Sequence, residues 1–285
     1  MASKPRSGAF DHRALALWQV CPRRFLFQEV ERARPDSVPR PFAGPLEVAG
    51  QAGVGMVLMN PWATRAAVRR HMRAGFESAL RLAEATGPVH DPDRLDDALA
   101  TLEGERLELV LELARDERVR RIEWTGFEAR FEWHDAQGRR FAGDVGQIGL
   151  VKEPIAGFGR RQGEPTDLAP GTRVVVDWRF GSDVDLSPVG LALHLPLGFD
   201  LLGLNRCHAG PVYRGFVGAL RPEARGPDFH EAQVAWDVLG PTIARTVEEI
   251  EAAAASGSPD AYPARGPLSR GCFTCPFRQR CIRGA

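Results

Sequence analysis

Cys272, Cys275 and Cys281 follow one another in a C-x2-C-x5-C spacing near the carboxyl end of the chain. Thiolates gathered this closely are ligands for borderline or soft metal species, and a closed site of that kind takes four of them. Cys21 lies in Cys-Pro-Arg-Arg-Phe, and the same order, a Cys-Pro pair with an aromatic residue soon after, recurs at Cys275-Pro276-Phe277. Cys21 is therefore the expected fourth ligand, in a site that ties the two ends of the chain together. Four thiolates suit an iron-sulfur cluster or structural zinc, and spacing alone does not choose between them. Cys207, at the end of an apolar stretch, reads as a buried cysteine without a ligand role.

The elements that must position these cysteines can be read from periodicity. Residues 9–32 carry apolar side chains at helical spacing on either side of Cys21-Pro22, which predicts two short helices meeting at the proline. Residues 33–49 are proline-rich and read as a loop. Strong helical periodicity follows over 62–86 and 93–118, with arginine and glutamate on the outer faces. From 122 to 151 the pattern changes to alternation around Ala136-Gln137-Gly138, which predicts a β-hairpin. TRVVVDWRFG reads as a buried strand, 189–206 as a buried helix, 211–220 as another strand and 228–255 as one long helix. The linker SGSPDAYPARGP then leads to the cysteines. Trp124, Trp133 and Trp178 are expected in the core.

Composition sets the outer bounds. With 44% hydrophobic and 26% charged residues over 285 positions, the chain reads as an ordinary globular protein able to bury a sizeable core. It has 37 basic and 37 acidic residues, so no global positive field announces a nucleic-acid partner. An odd number of cysteines, three of them clustered, suits metal binding in a reducing compartment. No long apolar run suggests a membrane span or a signal peptide, and the expected location is the cytoplasm. Lys4 and Lys152 are the only lysines, so chemistry that needs an ammonium group has two candidates.

A lone amino-terminal cysteine in a Cys-Pro-basic-Phe setting, followed at the other end by C-x2-C-x5-C, resembles the iron-sulfur subgroup of the PD-(D/E)XK nuclease superfamily, which includes AddB-type helicase-nuclease subunits, CRISPR-associated exonucleases and RecB-like nucleases. The resemblance covers essentially the whole chain. It implies a single α/β domain over 1–285, a mixed sheet flanked by helices with an iron-sulfur staple joining the termini. Within it, 1–60 would hold the first helices and Cys21, 61–120 a helical region, 121–255 the nuclease-like core and 256–285 the cysteine cluster. A [4Fe-4S] cluster on Cys21, Cys272, Cys275 and Cys281 is implied, as are single-stranded DNA as the usual substrate and a helicase, nuclease or effector subunit as a protein partner in DNA repair or defence.

The family's catalytic motifs have degenerate counterparts here. A strand motif of the form G-x-(I/V)-D-R appears as Gly143-Asp144-Val145-Gly146-Gln147, with Gly146 in place of the metal-binding aspartate. The second strand motif appears as Val175-Val176-Asp177-Trp178-Arg179-Phe180-Gly181, with Arg179 in place of the lysine. A histidine expected from G-x-x-x-H is replaced by Met59, and the Gln-x-x-x-Tyr helix keeps little of its pattern near His194. Hydrolysis of a phosphodiester needs hard oxygen ligands for Mg²⁺ or Mn²⁺ and a compact positive group, and a rigid guanidinium serves poorly as the latter. The expectation is a catalytically degenerate nuclease-like protein that binds DNA or scaffolds a partner.

Asp177, Asp144 and Arg179 are then the vestigial or rebuilt catalytic residues, and Arg23, Arg24, Arg160, Arg161 and Arg179 the candidate phosphate contacts. An active Mg²⁺- or Mn²⁺-dependent single-stranded DNA exonuclease and a purely structural interaction subunit remain the alternatives. For the first, Asp144, with Glu128 and Glu132 on the neighbouring strand, and Lys152 would be the compensating residues. A cross-strand ion pair of Asp144 with Arg139 and Arg140 is the plainer expectation for that aspartate.

Overall fold

Alternating apolar and polar side chains over 122–134 and 140–151 build the longest pair of strands in the protein. In the computed structural model, which describes residues 8–33, 35, 42–86, 92–181, 186–187, 190–191, 194–207, 212–224, 226–264, 272 and 275–283, these are β1 (Ile122–His134) and β2 (Arg140–Val151), paired antiparallel. One extra residue in β1 between Trp124 and Phe127 shifts the register and bends the hairpin. Five further strands complete a mixed sheet: β3 (Ile155–Arg161), β4 (Glu164–Leu168), β5 (Arg173–Phe180), β6 (Tyr213–Leu220) and β7 (Asp228–Glu231). Their spatial order is β1-β2-β5-β6-β7-β3-β4, with β5 running parallel to β6 and antiparallel to β2.

Helices cover both faces, which is what a strand such as RVVVDWRF requires, since its consecutive valines leave no face for water. On one side α3 (Ala43–Met59), α4 (Arg65–Thr86), α5 (Pro92–Thr101) and α6 (Leu107–Arg115) pack over Val174, Val176, Trp178 and Phe216. A π-helical turn, Leu102–Arg106, joins α5 to α6, and the short α7 (Glu117–Arg120) leads into β1. On the other side α1 (His12–Val20), α8 (Leu195–Cys207) and α9 (Trp236–Ser256) pack over Val175 and Val217. Asp177 follows Val175 by two residues and so faces the α1 and α8 side.

Cys21 ends α1 and begins α2 (Pro22–Phe25), with Pro22 in the first turn where its missing N–H costs nothing. The chain continues as a π-helical turn, Leu26–Val30, and α10 (Arg278–Arg283) lies at the other end. No helix among the described residues is long and apolar enough to cross a membrane.

The expected hairpin, the buried strand at 173–180, the strand at 213–220 and the helices at 62–86 and 93–118 are present within a few residues. Two expectations need correction, and one hairpin was not anticipated. The proline-rich stretch 33–49 holds the first turns of α3, whose Pro45 sits early enough to keep the helix intact. The stretch 228–255 divides into β7 and α9, because Asp228–Glu231 completes a ladder with β6. The β3–β4 hairpin had no periodic signal; it is closed by Gln162 and Gly163, both at positive φ (53° and 91°), a geometry that matches the twist of tightly paired strands.

Trp178 anchors the central strand. It is 1% exposed, stands with its ring centroid 6.3 Å from that of Trp124 and 5.5 Å from that of Phe229, and occupies the space a side chain at Gly218 would need. Trp178→Ala is expected to cost about 3–5 kcal/mol by cavity formation. Urea unfolding followed by circular dichroism would measure this; a loss below about 1 kcal/mol would contradict a close-packed sheet-helix interface.

Candidate functional site

The side chain of Asp177 is 21% exposed and is held from two directions. Arg179, two residues on and therefore on the same side of β5, donates to Asp177 Oδ2 through Nε at 2.9 Å and Nη2 at 2.7 Å. His194, just before α8, places Nε2 3.4 Å from the same oxygen. The N–H of Leu197 donates to His194 Nδ1 at 3.4 Å, which puts the proton of the neutral ring on Nε2, facing the carboxylate. Burial, outweighing the nearby Asp177 charge, lowers the pKa of His194 and favours that neutral ring.

Asp200, on α8, lies in the same region. Burial above all, then the charges of Asp177 and Asp144, push its carboxyl up to about 8, against a smaller opposing effect from Arg13. It therefore carries its proton at neutral pH. His12 Nδ1 approaches Asp200 Oδ1 to 3.9 Å, but burial lowers the pKa of His12 and both groups are neutral, so the approach is not an ion pair. Neither of these two atoms, both buried, has a hydrogen-bond partner.

Asp144 has a partner of its own. It is 60% exposed and pairs with Arg130, its neighbour across the β1–β2 ladder, at 3.2 Å. The expected partners are engaged differently: Arg140 forks onto Glu132 at 2.7 and 2.6 Å, and Arg139 reaches Glu251 at 3.1 Å. Lys152 pairs with Glu123 beyond the opposite end of the β2–β5 ladder from Asp177. Met59 is exposed at the end of α3. Docking of α3 on β5 rests instead on Gln51, whose Nε2 donates to the carbonyl of Trp178 at 2.7 Å.

The two cysteine segments meet. Cys275 and Cys281 each feel the charges of Cys21 and Cys272, and burial raises both thiol pKa values. No disulfide joins any of the five cysteines. Phe27 and Phe277 pack with ring centroids 5.7 Å apart, and Arg280 reaches Glu31 at 3.4 Å while lying over Phe27. Among the described residues, no group of three or more His, Cys, Asp or Glu side chains converges closely enough to hold a metal ion. Cys207, expected to be buried, is exposed at the end of α8, with its thiol 3.2 Å from the carbonyl of Glu132.

Of the five arginines expected to meet phosphate, Arg179 is engaged by Asp177. Arg23 and Arg24 belong to the cysteine site, where the Arg23 charge acts on Cys281 and that of Arg24 on Cys275. Arg160 and Arg161 are exposed on β3, three ladder steps from β5, or about 14 Å. The sequence reading missed Asp200 and His12. A lone acid inside the apolar run Leu195–Leu204 was a usable signal for Asp200; nothing near His12 in sequence distinguishes it.

The buried acid generates a test of its own. Asp200 holds its proton more tightly in the folded chain than in the unfolded one, so its contribution to stability is complete below pH about 3.8 and is lost as pH rises through about 8. Asn cannot lose that proton. Asp200→Asn is therefore expected to match the parent near pH 5 more closely than at pH 8.5, where it should be more stable by several kcal/mol at roughly 1.4 kcal/mol per pH unit. Thermal melts across that range would show a widening gap; a constant gap would refute the raised pKa.

No family model matches the sequence, and no curated protein does. Among solved structures, the chain is similar to one titled "Putative exonuclease" from Eubacterium rectale, with a TM-score of 0.51 and 10% identity over 94% of this chain and 88% of that one. At that identity the likeness is one of fold: a mixed sheet flanked by helices, arranged as in that protein.

Proposed function

We propose that this chain is a nuclease-fold protein whose catalytic centre is closed by its own side chains, and that it holds a DNA strand without cutting it. The observation that carries this reading is the double hydrogen bond from Arg179 to Asp177 Oδ2, with His194 against the same oxygen. The carboxylate that the sequence resemblance assigns to a metal is thereby neutralised inside the protein. A divalent cation would have to compete with a fixed guanidinium for that oxygen, and Gly146 offers no second carboxylate. Strand binding falls to Arg160 and Arg161, exposed on β3.

The reading includes a [4Fe-4S] cluster on Cys21, Cys272, Cys275 and Cys281, with structural zinc as the alternative. Four thiols from both ends of the chain lie within electrostatic reach of one another without converging on one point. A cubane takes each thiolate at a separate iron, so its ligands stand further apart than those of a single ion. The chemistry of the donor set, four thiols, is what supports the cluster.

One observation favours a rebuilt Mg²⁺- or Mn²⁺-dependent exonuclease. Asp200 is a second acid near Asp177, and a cation could displace its proton.

End-labelled single-stranded DNA and Mn²⁺, added to anaerobically purified protein, separate the two readings. The strand is expected to survive, and to bind with an affinity that falls steeply with salt. Arg160→Ala and Arg161→Ala should each weaken binding for all sequences and reduce the slope of log K against log salt by about 1. Degradation that stops in Asp177→Ala or Asp200→Asn would instead establish the enzyme, and salt-independent binding would remove the DNA-holding role.

A further inference from the structure

The two arginines after Cys21 are oriented by the same short helix, α2. The Nε–H of Arg23 and the Nε–H of Arg24 are both buried, and neither has a hydrogen-bond partner. A buried donor left without an acceptor costs about 1–3 kcal/mol, and here two occur side by side. Each guanidinium lies within electrostatic reach of a different thiol, Arg23 of Cys281 and Arg24 of Cys275. Glu31, which pairs across to the carboxyl-terminal helix, is engaged by Arg280. Among the charges that act on these two thiols, those of Arg23 and Arg24 are the positive ones.

We propose that Arg23 and Arg24 are the cationic clamp of the cysteine site: they donate hydrogen bonds to the sulfur atoms of the bound iron-sulfur group and offset its negative charge. This rests on the cluster reading above. Four thiolates outweigh the positive charge of a [4Fe-4S] core, so the ligated group is anionic and is stabilised by adjacent guanidinium groups. The same residues that resemble phosphate ligands in the sequence are thereby assigned to the cofactor. Two consequences follow from the charge balance. Removing either cation makes the cluster easier to dismantle. It also makes the cluster harder to reduce, because an added electron increases a negative charge that is no longer compensated.

The test uses the full chain purified without oxygen, with iron and acid-labile sulfide measured first. Cluster loss to a ferrous-iron chelator is followed by thiolate-to-iron absorbance, and the midpoint potential by dithionite titration. Arg23→Gln and Arg24→Gln are each expected to lose the cluster about tenfold faster, as for one lost charge-assisted hydrogen bond. Their potentials should move to more negative values. Arg23→Lys and Arg24→Lys keep the charge but lose the planar donor; they should return the potential toward that of the parent while releasing iron at an intermediate rate. The Lys variants also carry the test if a Gln variant does not fold.

Arg245→Gln, at an exposed ion pair with Glu249 on α9, is the control and should change neither quantity. Parental loss rates and potentials in all four clamp variants would overturn the clamp and leave the cluster reading intact. A chain that takes up zinc, or no iron and sulfide at all, would remove both.

Discussion

A carboxylate half-buried between a central strand and a helix must be compensated, and the arrangement around Asp177 follows from that constraint. Water reaches it poorly, so an uncompensated charge there would cost several kcal/mol. Arg179 supplies the compensation from the same strand, since residues two apart share a face, and His194 completes it from the start of α8. Burial above all keeps the proton on Asp200, with the Asp177 charge adding to it, and burial keeps His12 and His194 neutral against the pull of the Asp177 charge. The ion pair and these three side chains form a group of five contributed by α1, β5, the turn before α8 and α8 itself.

The two ends of the chain obey a related constraint with the opposite sign. Thiols that ionise on binding a metal group create negative charge in a partly buried place, and the residues around them are arginines. Packing between Phe27 and Phe277 and the Arg280–Glu31 contact join the two segments. The apolar contact belongs to the same core that buries Trp18, Phe25 and the inner face of α9. The contact between the two ends and the core on this side of the sheet therefore form one apolar cluster.

Much of this was legible in the residues. Strands with unbroken alternation or a run of valines, β1, β2 and β5, declared themselves, as did the amphipathic α4 and α6, because burial of one face or of both leaves a periodic trace. That Cys21 lies near the distant cysteines was also legible, because its Cys-Pro pair recurs at Cys275-Pro276. What failed to show was set by pairing or packing without a periodic trace. β7 has helix-like apolar spacing and becomes a strand because β6 presents an open edge beside it. The proline-rich entry to α3 conceals a helix whose glycines admit Met72 and Phe180 closely. Asp144 pairs with Arg130 and not with the arginines beside it in sequence, because cross-strand register decides the partner.

The most informative failure concerns Arg179. Read as a substitution, arginine for lysine keeps the charge and suggests a phosphate contact. Read in place, the guanidinium forks back onto Asp177, because its donors match a carboxylate two residues away on the same face of the strand. A lysine there has a compact point charge and rotatable donors, and it can serve a carboxylate and a substrate in turn. The rigid fork commits to one partner. In this chain position 146 is a glycine and position 179 an arginine, so the compensation of the half-buried Asp177 carboxylate comes from a fixed internal cation.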